Sequence, residues 1–128
     1  TAEGTWWNGR RTRVSSVPSL GQSVVSFTDA ANFARHNRAA EWARIQEATY
    51  YRAGWGDAYG HALVATGRVE LMLDPIMNAW DCGPFPPILR EAGGYFGDWQ
   101  GNRTIHGGEA MSTTDRLLPE VLALWQQA

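Results

Sequence analysis

The stretch NAWDCGPFPPILREAGGYFGDW, residues 78–99, decides how this chain is read. It opens with an aspartate beside a tryptophan and runs through Pro84, Pro86 and Pro87 into an apolar patch. It closes on EAGG before the strand-like GYFGDW. Two readings of Asp81 stand at this level. Its carboxylate can accept N–H groups at a helix start, or it can ligate a hard cation that prefers carboxylate oxygen. A helix is predicted from near Asp81 to Ala92, stopped by Gly93 and Gly94. Pro84 fits a first turn, but Pro86 and Pro87 each remove an intrahelical bond, so the helix should begin late or be kinked. Residues 98–102 then form a turn after the strand.

Working outward, the pattern is one of short strands alternating with helices. Residues 4–15 read as a hairpin, because Asn8-Gly9 is a strong two-residue turn signal between strand-forming segments. Residues 23–29 form a short buried-type strand, with Thr28 or Asp29 placed to cap the next element. Residues 37–52 have helical spacing, with Trp42, Ile45 and Thr49 on one face. After the break AGWG, residues 57–67 form a second helix with Gly67 at its end. RVELMLD is a strand, EAMSTTD another, and residues 116–127 a closing helix with Pro119 in its first turn. The expected fold class is α/β, a mixed and mostly parallel sheet flanked by helices in a single domain over residues 1–128.

Composition narrows the function. The 128 residues are 44% hydrophobic and carry a net charge of -2, so one domain with a real core fits. Nucleic acid and anionic membrane surfaces find no basic patch. No apolar run approaches the roughly 20 residues of a membrane span. All 11 basic residues are arginine, which removes lysine-based chemistry such as a Schiff base or a P-loop. The one cysteine, Cys82, excludes an internal disulfide and suits a reducing, cytoplasmic setting. Within a helix start it reads as a small buried side chain. His36, His61 and His106 show no zinc-ligand spacing. His61 reads as packed or surface, and the other two as solvated loop residues.

Three acids sit where chain direction changes: Asp57 opens a helix, Asp74 ends a strand, and Asp81 starts the next helix. Ligands of open α/β sheets gather at such places. Most aspartates before helices are caps and nothing more, yet an acidic cluster of this kind suits Mg²⁺ better than zinc. Arg52 precedes AGWG and stands either to neutralise a phosphate or to end a helix, where a cation is favoured anyway.

From Trp80 to Gly101 the chain resembles the second signature of the inositol monophosphatase superfamily: WD, small residues, an apolar helix, EAGG, a strand, then D-x-x-G. Trp80, Asp81, Glu91, Ala92, Gly93, Gly94, Asp98 and Gly101 carry the match. ALVATGRVELMLD upstream and AMSTTDRLLPEVLALW downstream extend it from about residue 15 to the end. WGDAYGHALVATGRVELMLDP with WDC resembles the histidinol-phosphate phosphatase branch. The resemblance implies the C-terminal lobe of that fold and a Mg²⁺-dependent phosphomonoesterase. It implies Asp81 as a metal ligand and Asp74 beside the organic part of the substrate. Asp57, Trp55 and Gly56 would line the same pocket, with Arg52 as a further candidate. The expected substrate is a small phosphorylated metabolite. Histidinol phosphate leads, because acids suit its amine, and inositol or nucleotide phosphates are the alternatives.

The sequence departs from the superfamily pattern in two ways. The acidic EE segment and DP(I/L)DGT motif that complete the metal site are absent, and the DPIM at Asp74 lacks the DGT. The expectation is therefore the C-terminal half of a longer enzyme, with no catalytic residue of its own and little activity alone. It would pair as a homodimer or with an N-terminal half. A non-catalytic dimerising half-domain is the competing reading. Gly83 and Pro84 also replace the usual alanines, which bears on where Asp81 sits.

Overall fold

The computed structural model describes residues 4–125, with the side chain of Asp57 outside the description. Strands β1 (Thr5–Trp7) and β2 (Arg10–Thr12) form the expected hairpin, with Thr5 opposite Thr12. Asn8 and Gly9 both take positive φ, 50° and 80°, as a two-residue turn matching strand twist requires.

The main sheet holds β3 (Val24–Phe27), β4 (Tyr51–Ala53), β5 (Leu71–Asp74), β6 (Gly94–Gly97) and β7 (Ala110–Thr114) in the order β4-β3-β5-β7-β6. The sheet is mixed, as expected, with its parallel share confined to one half. β3 runs parallel to β4 and β5, whereas β7 is antiparallel to both β5 and β6. Central β5 is buried along its whole length, which explains the apolar run Leu71–Leu73. Side chains of successive residues point to opposite faces. Leu71 and Leu73 join Val25, Tyr95 and Met111 in a core with Phe33, Ile45 and Val121. Met72 faces the other way and joins Phe96 and Ala110 with Val64, Phe85 and Leu89.

The helices are α1 (Ala31–Arg35), α2 (Ala39–Ala48), α3 (Asp57–Ala65), α4 (Ala79–Cys82), α5 (Phe85–Glu91) and α6 (Leu118–Trp125). Gly67 follows α3 with φ 78°, the left-handed stop its sequence foretells. No helix among the described residues is long and apolar enough to cross a membrane.

Three expectations about elements are corrected. The helix predicted over residues 37–52 ends at Ala48, and Tyr51–Ala53 is edge strand β4. Thr49 turns extended, its hydroxyl donating back to the Ile45 carbonyl, and the Ser23 carbonyl accepts from the amides of Tyr50 and Tyr51. Sheet pairing, a long-range contact, overrides the helical spacing. The helix predicted from Asp81 to Ala92 is two helices broken at Gly83-Pro84. Pro86 and Pro87 fall in the first turn of α5, where amides have no intrahelical partner to lose. Asp81 is consequently not a cap. It is the third residue of α4, its amide donating 3.0 Å to the carbonyl of Asn78, the residue at the cap position.

Candidate functional site

The carboxyl ends of β3 and β5 open onto a cavity of about 420 Å³ lined by Thr28, Asn32, Asp74, Met77, Asn78 and Asp81, among others. This is the sheet edge where open α/β folds present ligand sites. Asp74 and Asp81, seven residues apart in the chain, are thus brought to one cavity.

Their environments differ. Asp74 is buried and has a partner on each oxygen: the Thr28 hydroxyl donates to Oδ1 at 2.7 Å, and His61 Nε2 lies 2.9 Å from Oδ2. Asp81 is exposed, and among the described residues its carboxylate has no hydrogen bond or ion pair. An unengaged carboxylate facing a polar cavity keeps its oxygens available to a hard cation. Among the described residues no three His, Cys, Asp or Glu side chains converge as a metal-binding group. Asp81 alone offers at most one carboxylate ligand to a hard cation such as Mg²⁺.

His61 belongs to this arrangement although its spacing suggests only a packed or surface residue. It is fully buried on α3, with Nδ1 2.5 Å from the Ser112 hydroxyl. The sheet register explains the meeting. Met72 lies opposite Ser112 and Asp74 opposite Ala110, so Asp74, Met72 and Ser112 share the face that α3 covers. No spacing in the sequence could have revealed a contact between residues 51 positions apart. His36 and His106 are exposed, as expected.

Among the described side chains, Trp55 and Arg52 do not line the cavity, nor does Gly56. Gly56 makes room, since a Cβ there would stand 2.7 Å from the Thr28 Cα. Trp55 is held by its backbone: its carbonyl accepts from the Ser26 hydroxyl at 2.5 Å, and the residue is 45% exposed. Asp57 opens α3 next to the lining residue Ala58, and its side chain lies outside the described residues. Arg52 pairs with Val25 in the sheet register and so points to the α2 face. There its guanidinium donates to the carbonyls of Gln46 and Thr49, closing the end of α2. Of its two readings the structure shows the helix-ending one. Cys82 is buried, and that burial, with the carboxylates of Asp81 and Asp74, pushes its thiol pKa up. A thiol kept protonated is no nucleophile.

The later part of the signature is structural. The Asp98 carboxylate accepts from the amides of Gln100 and Asn102 and from the Asn102 side chain, at 2.9 to 3.0 Å. Burial works to raise its pKa, and these bonds outweigh it and hold the carboxyl below its ordinary value.

The chain is 38% identical over 117 residues to a histidinol-phosphatase of Chlorobaculum parvum, covering 90% of this chain and 44% of that protein. It is 31% identical over 112 residues to a histidinol-phosphatase of Mycobacterium tuberculosis, covering 88% and 43% respectively. It thus spans a little under half the length of these curated relatives. Its fold superimposes on an inositol monophosphatase from Zymomonas mobilis with a TM-score of 0.87 at 22% identity, covering 97% of this chain and 50% of that one. The model of the inositol monophosphatase family matches residues 1–127. The chain therefore belongs to the inositol monophosphatase family.

Proposed function

We propose that this chain is the C-terminal half of a Mg²⁺-dependent phosphomonoesterase whose substrate is histidinol phosphate. The observation that carries the reading is the cavity shared by Asp81, with its unengaged carboxylate, and Asp74, with its restrained one. The histidinol-phosphatase names of the two bacterial relatives support the choice of substrate.

In this reading Asp81 donates an oxygen ligand to the metal site, and the remaining ligands come from an N-terminal half. Bound Mg²⁺ supplies Lewis acidity toward phosphoryl oxygen and a water of lowered pKa, so no protein nucleophile is required. Asp74 sets the amine of the substrate against a fixed negative charge, and Thr28 and Gly56 keep the wall of the cavity in place. Exposed aromatic residues such as Tyr50, Tyr51 and Trp80 give this half the surface for its N-terminal half or a second copy.

Phosphate release from histidinol phosphate, inositol 1-phosphate and AMP tests the proposal, with Mg²⁺ and with EDTA. The longer protein is expected to prefer histidinol phosphate and to stop in EDTA, and the 128-residue chain alone is expected to release none. A preference for inositol 1-phosphate or AMP overturns the substrate. Mg²⁺-dependent turnover by the chain alone overturns the division of the metal site.

A further inference from the structure

We infer that His61 is a positioning residue that aims the Asp74 carboxylate into the cavity and thereby sets selectivity for a cationic substrate. The inference rests on the proposed role of Asp74 beside the substrate.

A hydrogen-bonded chain runs from the sheet interior to the cavity wall: Ser112 Oγ, His61 Nδ1, His61 Nε2, Asp74 Oδ2, then Asp74 Oδ1 and Thr28 Oγ1. An ionised carboxylate only accepts, so Nε2 donates to Asp74, and in a neutral ring Nδ1 then accepts from the Ser112 hydroxyl. The network thus holds the ring by both of its nitrogens. The ring itself packs against the stacked pair Phe85 and Phe96, with centroids 5.4 and 5.1 Å away. Fully buried, it is shielded from bulk water. In such surroundings the bonds are strong and directional.

Asp74 is therefore restrained twice, by Thr28 from the end of β3 and by His61 from α3. A single donor would leave the carboxylate free to rotate about its last torsion. Two donors on different oxygens fix its plane while its remaining lone pairs stay open toward the cavity. A fixed carboxylate meets an ammonium group without the ordering cost that a rotating one carries.

The test compares His61→Phe, which keeps the ring volume, with His61→Gln, which keeps a donor, in the longer protein. His61→Phe is expected to raise KM for histidinol phosphate about tenfold while kcat falls less than about twofold. His61→Gln is expected to recover most of that loss. A fall in kcat equal to the rise in KM, or no recovery by Gln, overturns the inference in favour of a purely structural role. The second measurement needs no variant to fold and no turnover. Titration of the unaltered protein with histidinol is expected to shift the side-chain nitrogen resonances of His61 and leave those of His36 and His106 in place. Unmoved His61 resonances at saturating histidinol overturn the inference. A His61 shift without hydrolysis of any phosphate ester sinks the proposed activity and leaves the role of His61 standing. Turnover of histidinol phosphate that is indifferent to His61→Phe does the reverse.

Discussion

Two acids of one signature, 17 residues apart in the chain, have opposite environments. Asp98 is saturated by its own turn, with three donors from Gln100 and Asn102. Asp81 faces a cavity and has no hydrogen bond from any described residue. Both stand in a motif that identifies the family, yet only one is explained by this chain alone. A carboxylate whose bonds are all made locally holds a turn. One left bare at the wall of a cavity keeps its oxygens available, which is what the proposed metal-ligand role of Asp81 needs.

The sharpest way to break this contrast is Asp81→Asn in the longer protein proposed above. Loss of the charged ligand is expected to cut kcat/KM at least about a hundredfold, roughly 2.7 kcal/mol of barrier. The melting temperature should barely move, because no intramolecular bond is removed. A large drop in melting temperature with little loss of turnover would place Asp81 among the structural acids.

The converse change is Asp98→Asn, expected to cost about 2 kcal/mol of stability near neutral pH through weakened charged hydrogen bonds. Its effect should depend on pH. The Asp98 pKa is lowered in the folded state, so its ionisation contributes stability that is fully present above the unfolded value near 3.9. That contribution is lost as pH falls through the lower folded value. Urea denaturation of both proteins should therefore show the gap between them narrowing in acid. A gap that stays the same in acid would mean the bonds do not depend on the charge. The smallest effect is expected at Trp80, which is 79% exposed: Trp80→Ala should change the stability of this chain by no more than about 0.5 kcal/mol. A larger loss in chemical denaturation would show that the WD pair holds α4 in place.

The difference between the two acids is only partly legible in the sequence. The Asp98 turn is readable because its partners lie within four residues. Asp81 is readable as a candidate ligand, but the cap position that its sequence also allows belongs to Asn78. Arg52 shows the same limit: both of its readings stay open until the register with Val25 turns it toward α2. His61 carries no signal in the sequence, because its partners Asp74 and Ser112 come from strands that meet only in the sheet.

What the sequence determined by itself is what short-range sterics control. Asn8-Gly9 set the hairpin turn, Gly67 and Gly93 took the left-handed stops, and Pro84 to Pro87 divided the helix after Asp81. Each arises from a missing side chain or a missing amide, effects that need no distant partner. Only the tertiary structure decided that residues 51–53 join the sheet, that β7 inserts between β5 and β6, and that His61 meets Asp74. Those outcomes depend on strand register, and register is chosen by which apolar faces bury one another across the whole molecule.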